Sequence, residues 1–243
     1  MQKKILILSN PGKEGADNYC EGVNKDVINY QKFFESSRGG NWNTNEIEHL
    51  LQPSKELVLK RIGEMNELDF SIIVFSGHGY SQGTKTFLEL QPVGDNDIEV
   101  NDLECSGHKR IIITDCCRKP WYPMEERADY AFEHVLESVN ELFNTRAFYE
   151  QKILEADTMN VVTYSCDLGE VSYDDSRLGG NYSSALLHVA TSMEKKNEYG
   201  LYESANIVEV HNKAKVIVTR KESDQNPQIT KPRTGKYLPF AVV

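Results

Sequence analysis

Apolar residues in this chain recur in two patterns. Ile5-Leu6-Ile7-Leu8, Ser71-Ile72-Ile73-Val74-Phe75-Ser76, Lys109-Arg110-Ile111-Ile112-Ile113-Thr114 and Val161-Val162-Thr163-Tyr164 are continuous, mostly β-branched runs. Such runs read as strands buried on both faces of a sheet. Between them the apolar positions are spaced for helices. Val27, Tyr30, Phe33 and Phe34 line one face of Asp26 to Glu35, and Leu57, Val58, Ile62 and Met65 follow a start signal at Pro53-Ser54. Ser183 to Met193 and Asn206 to Val218 predict two further helices, and Ile47 to Leu51 a short strand. From Met124 to Thr158 the chain is charged, with Val135, Val139 and Leu142 at i, i+4 and i+7, which predicts one long helix. Phe87 to Leu90 and Ile98 to Leu103 flank a turn at Gly94-Asp95-Asn96-Asp97 and read as a small hairpin, or as a strand leading into a short helix. Alternating strands and helices predict an α/β fold, a mostly parallel central sheet of about six strands with helices on both faces.

Two of the apolar runs end in residues that carry chemistry. Gly77-His78-Gly79 closes one and Asp115-Cys116-Cys117-Arg118 the next. The carboxyl ends of parallel strands form the crevice in which open α/β sheets bind and react with ligands. A thiol is a nucleophile as thiolate, and a nearby imidazole favours that form and can protonate a leaving amine. Taken singly, Gly-His-Gly is as readily a turn and a buried cysteine a small hydrophobe. Together, at the ends of two β-rich runs, they point to a cysteine peptidase. The backbone N–H groups of Gly79 and Cys117 are the candidate oxyanion donors. Cys116 is a rival nucleophile, and since adjacent strand residues face opposite ways, only one of the two thiols can face His78.

The 243 residues carry a net charge of −10, which argues against a dedicated nucleic-acid binder and is compatible with basic peptide partners. No apolar stretch approaches the roughly 20 residues of a membrane-spanning helix, so no membrane association is expected. The short apolar run after Met1-Gln2-Lys3-Lys4 reads as a core strand rather than a secretory signal, giving a cytoplasmic expectation. Five cysteines, an odd number without paired ligand spacing, indicate neither a disulfide framework nor a metal site. Asp95, Asp97 and Glu99 lack a calcium-loop frame and read as a polar turn. His49, His108, His134, His188 and His211 have no neighbouring ligands. Trp42 and Trp121 read as core residues.

Ser76-Gly77-His78-Gly79 and Asp115-Cys116-Cys117-Arg118 are similar to the histidine and Asp-x-Cys motifs of the caspase-like cysteine peptidases. The chain resembles metacaspases and bacterial caspase-like proteins more than animal caspases. Weaker similarities are Gly22-Val23-Asn24-Lys25-Asp26-Val27, Ser165-Cys166-Asp167, Gly179-Gly180-Asn181-Tyr182 and Gln225-Asn226-Pro227-Gln228. His78 lies 39 residues before Cys117, nearer than the about 50 of caspases. The resemblance settles the register on Cys117. It implies the caspase-hemoglobinase fold as a single domain over 1–243, with a large-subunit-like part at 1–123, an intersubunit helical region at 124–158 and a small-subunit-like part at 159–243. Arg127, Arg146 and Lys152 are candidate self-cleavage points in that region, against the plainer reading of a solvated helix.

The resemblance further implies a regulated endopeptidase with a His78–Cys117 dyad acting on a protein or peptide substrate. Family members include zymogens released by calcium, cleavage or an activating protein partner. No cofactor is required by the chemistry, and calcium activation is not indicated by the residues. Metacaspases take Arg or Lys before the cut using acidic groups. Asp115, two residues before the nucleophile, and Asp167 are therefore the candidate S1 acids, while Arg118 reads as orienting the loop. The alternative is a catalytically quiet caspase-like module that binds and regulates a partner.

Overall fold

The computed structural model describes residues 1–94, 96–120, 144–195 and 202–243. In chain order it contains β1 (Lys3–Asn10), α1 (Gly22–Glu35), β2 (Ile47–Leu51), α2 (Lys55–Met65), β3 (Phe70–Gly77), β4 (Gly79–Gln82), β5 (Lys85–Leu88) and β6 (Ile98–Glu99). Then follow β7 (Lys109–Asp115), α3 (Thr145–Glu155), β8 (Asn160–Tyr164), β9 (Asp174–Asp175), β10 (Gly179–Gly180), α4 (Asn181–Ser192), β11 (Ser204–Asn206), α5 (Ile207–Lys221), β12 (Gln228–Thr230) and β13 (Pro239–Val242). The four apolar runs become the middle of a six-stranded sheet in the order β12-β8-β7-β3-β1-β2. Every pairing in it is parallel except that of β12 with β8.

Alternate residues of each central strand serve opposite layers, as the two-residue strand period requires. Ile5, Ile7, Ile72, Val74, Ile111, Ile113 and Val161 pack in one core with residues of α1, α3, α4 and α5. Leu6, Leu8, Ile73, Phe75, Ile112 and Val162 pack in a second with α2 and the hairpin strands. The sheet is thus covered on both faces. Polar caps start the helices where the sequence signals them: Ser54 Oγ accepts the Leu57 N–H at 3.3 Å, and Asn206 forms a capping box with Glu209.

Two local readings change. The helix expected over Met124 to Thr158 is, in its described part, only α3; it ends at Glu155 because Ala156 is extended, and residues 124–143 lie outside the described residues. The small hairpin forms, β5 pairing with β6 and β6 leading into a short 3-10 helix at Val100–Leu103, but it gains a third antiparallel strand, β4, which directly follows His78. β4 reads Gly-Tyr-Ser-Gln and has no apolar alternation to betray it.

Arg110 on β7 is wholly buried. It donates to Ser71 Oγ at 2.8 Å, the Leu103 carbonyl at 2.7 Å and Asn66 Oδ1 at 2.9 Å, pinning the two connections that precede β3 and β7. Arg110→Ala strips two buried acceptors and one half-buried one of their donor and leaves a void, so it should cost about 3 kcal/mol. Thermal unfolding should then fall by about 6–12 °C; an unchanged midpoint would mean that solvent or a neighbour replaces the guanidinium.

Candidate active site

β3 and β7 are neighbours, with Ser76 opposite Asp115, so His78 and Cys117 leave the sheet at the same level. The loop carrying His78 is tied to Asn10 at the end of β1. The Asn10 carbonyl accepts the His78 N–H at 3.4 Å, while its side chain donates to Glu89 O at 2.7 Å and accepts from Gly12 N and Gln52 Nε2. Gly77 is at φ +150°, and a Cβ there would collide with the Asn10 carbonyl. A Cβ on Gly79 would come within 2.8 Å of Cys116 Sγ and of Phe87 O. The missing side chains of both glycines therefore make room for the protein's own packing.

The two adjacent cysteines part as strand geometry demands. Cys116 joins the second core layer. The Cys117 thiol instead lies against the loop after β8, where Sγ accepts the Ser172 N–H at 3.2 Å and donates to Ser172 O at 3.6 Å. Burial pushes the Cys117 thiol up to about 11, with Asp115 and Asp174 adding to the shift and the Ser172 N–H opposing it.

His78 and Cys117 line one small cavity of about 30 Å³, shared with Cys20, Asp26, Asp115 and Asp174. Asp115 accepts from Ser172 Oγ at 2.6 Å and Ser183 N at 2.9 Å. Asp26 accepts from Ser76 Oγ at 2.6 Å and Gly180 N at 2.9 Å. Gly180 is wedged between these two carboxylates, and a Cβ on it would strike Asp115. Asp174 takes the Gly22 N–H at 3.0 Å. Burial, and after it the Asp115 charge, holds the Asp26 carboxyl well above the usual carboxylate range; burial also raises Asp115, against its hydrogen bonds from Ser172 and Ser183. These donors are neutral, and among the described residues no lysine or arginine lines the cavity. The pocket is rich in carboxylates.

Asp26 and Asp174 were not singled out from the sequence. Asp26 had a legible signal: it sits on the apolar stripe of α1, among Val23, Val27, Tyr30 and Phe33, all buried. Asp167 lies elsewhere, exposed, bonded to Leu168 N at 2.7 Å and Gln228 Nε2 at 3.2 Å, and does not line the cavity. Arg118 clamps the loop as expected, donating to Thr86 Oγ1 at 2.9 Å and Cys166 O at 3.0 Å with its guanidinium 4.0 Å from the centre of the Tyr164 ring. Cys20 Sγ approaches His78 Nε2 to 3.8 Å, and with Cys116 also in the lining, thiol reagents entering this cavity meet three cysteines. Arg146 pairs with Glu46 and Glu150, and Lys152 with Glu155, both on α3; a peptidase needs extended chain, which this helix denies to either bond while it is folded. Arg127, Trp121, His134 and Asp95 lie outside the described residues.

Among the remaining groups, His49 meets Ser9 Oγ at 2.8 Å, and the buried His211 meets Tyr182 Oη at 2.8 Å, its pKa lowered to about 4 by burial. Trp42 is core, with Lys3 Nζ 4.1 Å from its ring centre. Asp97 accepts from Tyr80 Oη, and Glu99 pairs with Lys85. Among the described residues no group of three or more His, Cys, Asp or Glu is placed to hold a metal ion, and no helix is long and apolar enough to cross a membrane.

A six-stranded, mostly parallel sheet with thiol and imidazole at the carboxyl ends of adjacent central strands defines a caspase-like α/β domain. The chain belongs to the caspase-domain family of cysteine peptidases, which it matches over residues 2–238. Among solved structures it is similar to caspase-1 from Spodoptera frugiperda, with a TM-score of 0.56 and 13% identity, over 94% of this chain and 86% of that one. That likeness is one of fold. No curated protein matches the chain.

Proposed function

We propose that the protein is an endopeptidase that cuts after Arg or Lys, with Cys117 as nucleophile and His78 as general acid–base. The observation that carries the reading is the shared cavity, in which thiol, imidazole and three carboxylates meet. A cationic substrate side chain makes charge-assisted bonds to these carboxylates. Its scissile carbonyl then lies over Cys117. The thiol gives its proton to His78 and Sγ attacks the carbonyl carbon; the oxyanion is held by the Cys117 and Gly79 N–H groups. His78 returns the proton to the departing amine, and water, activated by the same imidazole, hydrolyses the thioester. The chemistry calls for no cofactor. Placement in a signalling or defence cascade, with an activating partner or processing step, follows from the metacaspase resemblance.

Fluorogenic peptides differing only in the residue before the cut test this reading, assayed in calcium and in chelator. Arg and Lys peptides should be hydrolysed at least about 100-fold faster than citrulline or Asp peptides, since a site built for a buried charged partner rejects neutral isosteres by several kcal/mol. Cleavage after Asp would keep the peptidase and overturn the pocket.

A further inference from the structure

Ser172 touches both halves of the site. Its hydroxyl donates to Asp115 Oδ1 at 2.6 Å, its N–H donates to Cys117 Sγ at 3.2 Å, and its carbonyl accepts the Cys117 S–H at 3.6 Å. Gln225, wholly buried, holds it there, donating to Ser172 Oγ and to Ser165 O, both at 3.1 Å. We propose that Ser172 is a positioning residue that keeps the Cys117 thiol capped until a cationic substrate side chain takes Asp115 from it, so that recognition of the charge releases the nucleophile. This rests on the Arg or Lys reading of the same pocket.

The argument is first steric. The free space beside Asp115 is small, about 30 Å³, and both of its carboxylate oxygens already accept a bond, from Ser172 Oγ and from Ser183 N, so a cationic side chain that reaches the carboxylate presses on these donors. Some wall must move when the side chain enters. Ser76 and Asp115 stand on β3 and β7, locked into the parallel ladder, and Asp26 stands on α1, packed in the larger core. Ser172 belongs to no helix or strand, and β9, which follows it, is two residues long. Ser172 lies in a wall outside the main sheet and the helices, and its hydrogen bonds reach both Asp115 and Cys117 Sγ. It cannot shift without drawing its N–H and carbonyl away from Sγ.

The second argument is electrostatic. A guanidinium or ammonium brings a full positive charge to the carboxylate, and a guanidinium can bond it through two parallel N–H groups, where the Ser172 hydroxyl brings one neutral donor. The cation therefore displaces the Ser172 hydroxyl from Asp115, removing the bond that holds the loop over the thiol. It also offsets the negative charge of Asp115 and Asp174, the two carboxylates that disfavour ionisation of Cys117. With the S–H no longer given to Ser172 O, the proton is available to His78. A neutral substrate provides neither the push nor the charge, so selectivity is expressed in kcat as well as in KM.

Alkylation of Cys117 by iodoacetamide reads the cap directly, followed by fragment-ion sequencing of the peptides so that Cys116 and Cys20 are scored separately. Ethylguanidinium serves as the probe, because it brings the charge without a scissile bond. It should accelerate Cys117 alkylation about tenfold in the intact protein, equivalent to one unit of thiol acidity. Ser172→Ala should be alkylated quickly without the probe and gain nothing from it, whereas Ser172→Thr, which keeps a hydroxyl, should restore the dependence. A Ser172→Ala protein as slow and as responsive as the intact one would overturn the coupling. So would ethylguanidinium that competes with Arg-peptide hydrolysis yet leaves alkylation unchanged, and in that case the acidic pocket stands. A probe that neither competes nor accelerates would remove the acidic pocket, and the coupling with it.

Discussion

Cys117→Ala should lower hydrolysis of an Arg peptide by about 10⁴-fold or more, because the nucleophile is lost and the residual rate would come from binding and oxyanion donors alone. Cys116→Ala is the informative control. Its thiol packs against Gly79 in the second core layer and faces away from the loop that holds Cys117. Truncating it should cost about 1–2 kcal/mol of stability and leave kcat within a few-fold. Far-UV circular dichroism and thermal unfolding of both variants separate loss of chemistry from loss of fold. Undiminished hydrolysis by Cys117→Ala would remove the nucleophile assignment. Inactivation by a thiol reagent alone would not make it, since Cys20 stands in the same cavity.

Asp26→Asn should weaken the enzyme and strengthen the fold. Losing one buried charge-assisted bond to the substrate costs about 1.5–3 kcal/mol, so kcat/KM for Arg and Lys peptides should fall roughly 10- to 100-fold while neutral peptides change little. The stability effect has the opposite sign. Burial and the neighbouring Asp115 hold the Asp26 carboxyl well above its ordinary value. Between the unfolded value, about 4, and the raised folded value, the native state binds more protons than the unfolded chain. Stability from this group is therefore fully present below pH about 4 and is lost as pH rises through the folded value. Asparagine does not titrate and can still accept the Gly180 N–H. Asp26→Asn should have the higher melting temperature at pH 8, with the difference closing as pH falls. A wild-type protein that gains stability on Asp26→Asn over the same rise in pH would show that the carboxylate is compensated by a cation after all.

The strands were legible because a parallel sheet buried on both faces leaves a local trace, an unbroken β-branched run; α1 was legible from its apolar stripe, and α2 and α5 because an apolar stripe and a polar cap sit within a few residues of each other. His78, Cys117 and Asp115 were legible for the same reason: they end such runs. β4 was not, since its four residues are chosen by pairing with β5 rather than by burial. α3 had its boundary misplaced because Ala156 to Thr158 are helix-permissive, and only the packing of Ala156 and Met159 into the core turns the chain extended. Within the loop after β8 the sequence offers several acids. Glu170 decides among them, accepting the N–H groups of Asp167 at 3.0 Å and Asn226 at 2.7 Å and so holding Asp167 outward while Asp174 lines the cavity.

By itself, then, the sequence determined the sheet, its burial on two faces, and a thiol and an imidazole at strand ends, all consequences of short-range periodicity. The tertiary structure alone decided which charges surround that thiol. Asp26 comes from the first helix, Asp115 from the end of β7 in the main sheet, and Asp174 from β9, 148 residues beyond Asp26; nothing in their local patterns ties them together. Desolvation and mutual repulsion of the three exist only once the sheet has closed the distance, and it is those long-range forces that set the protonation of the site.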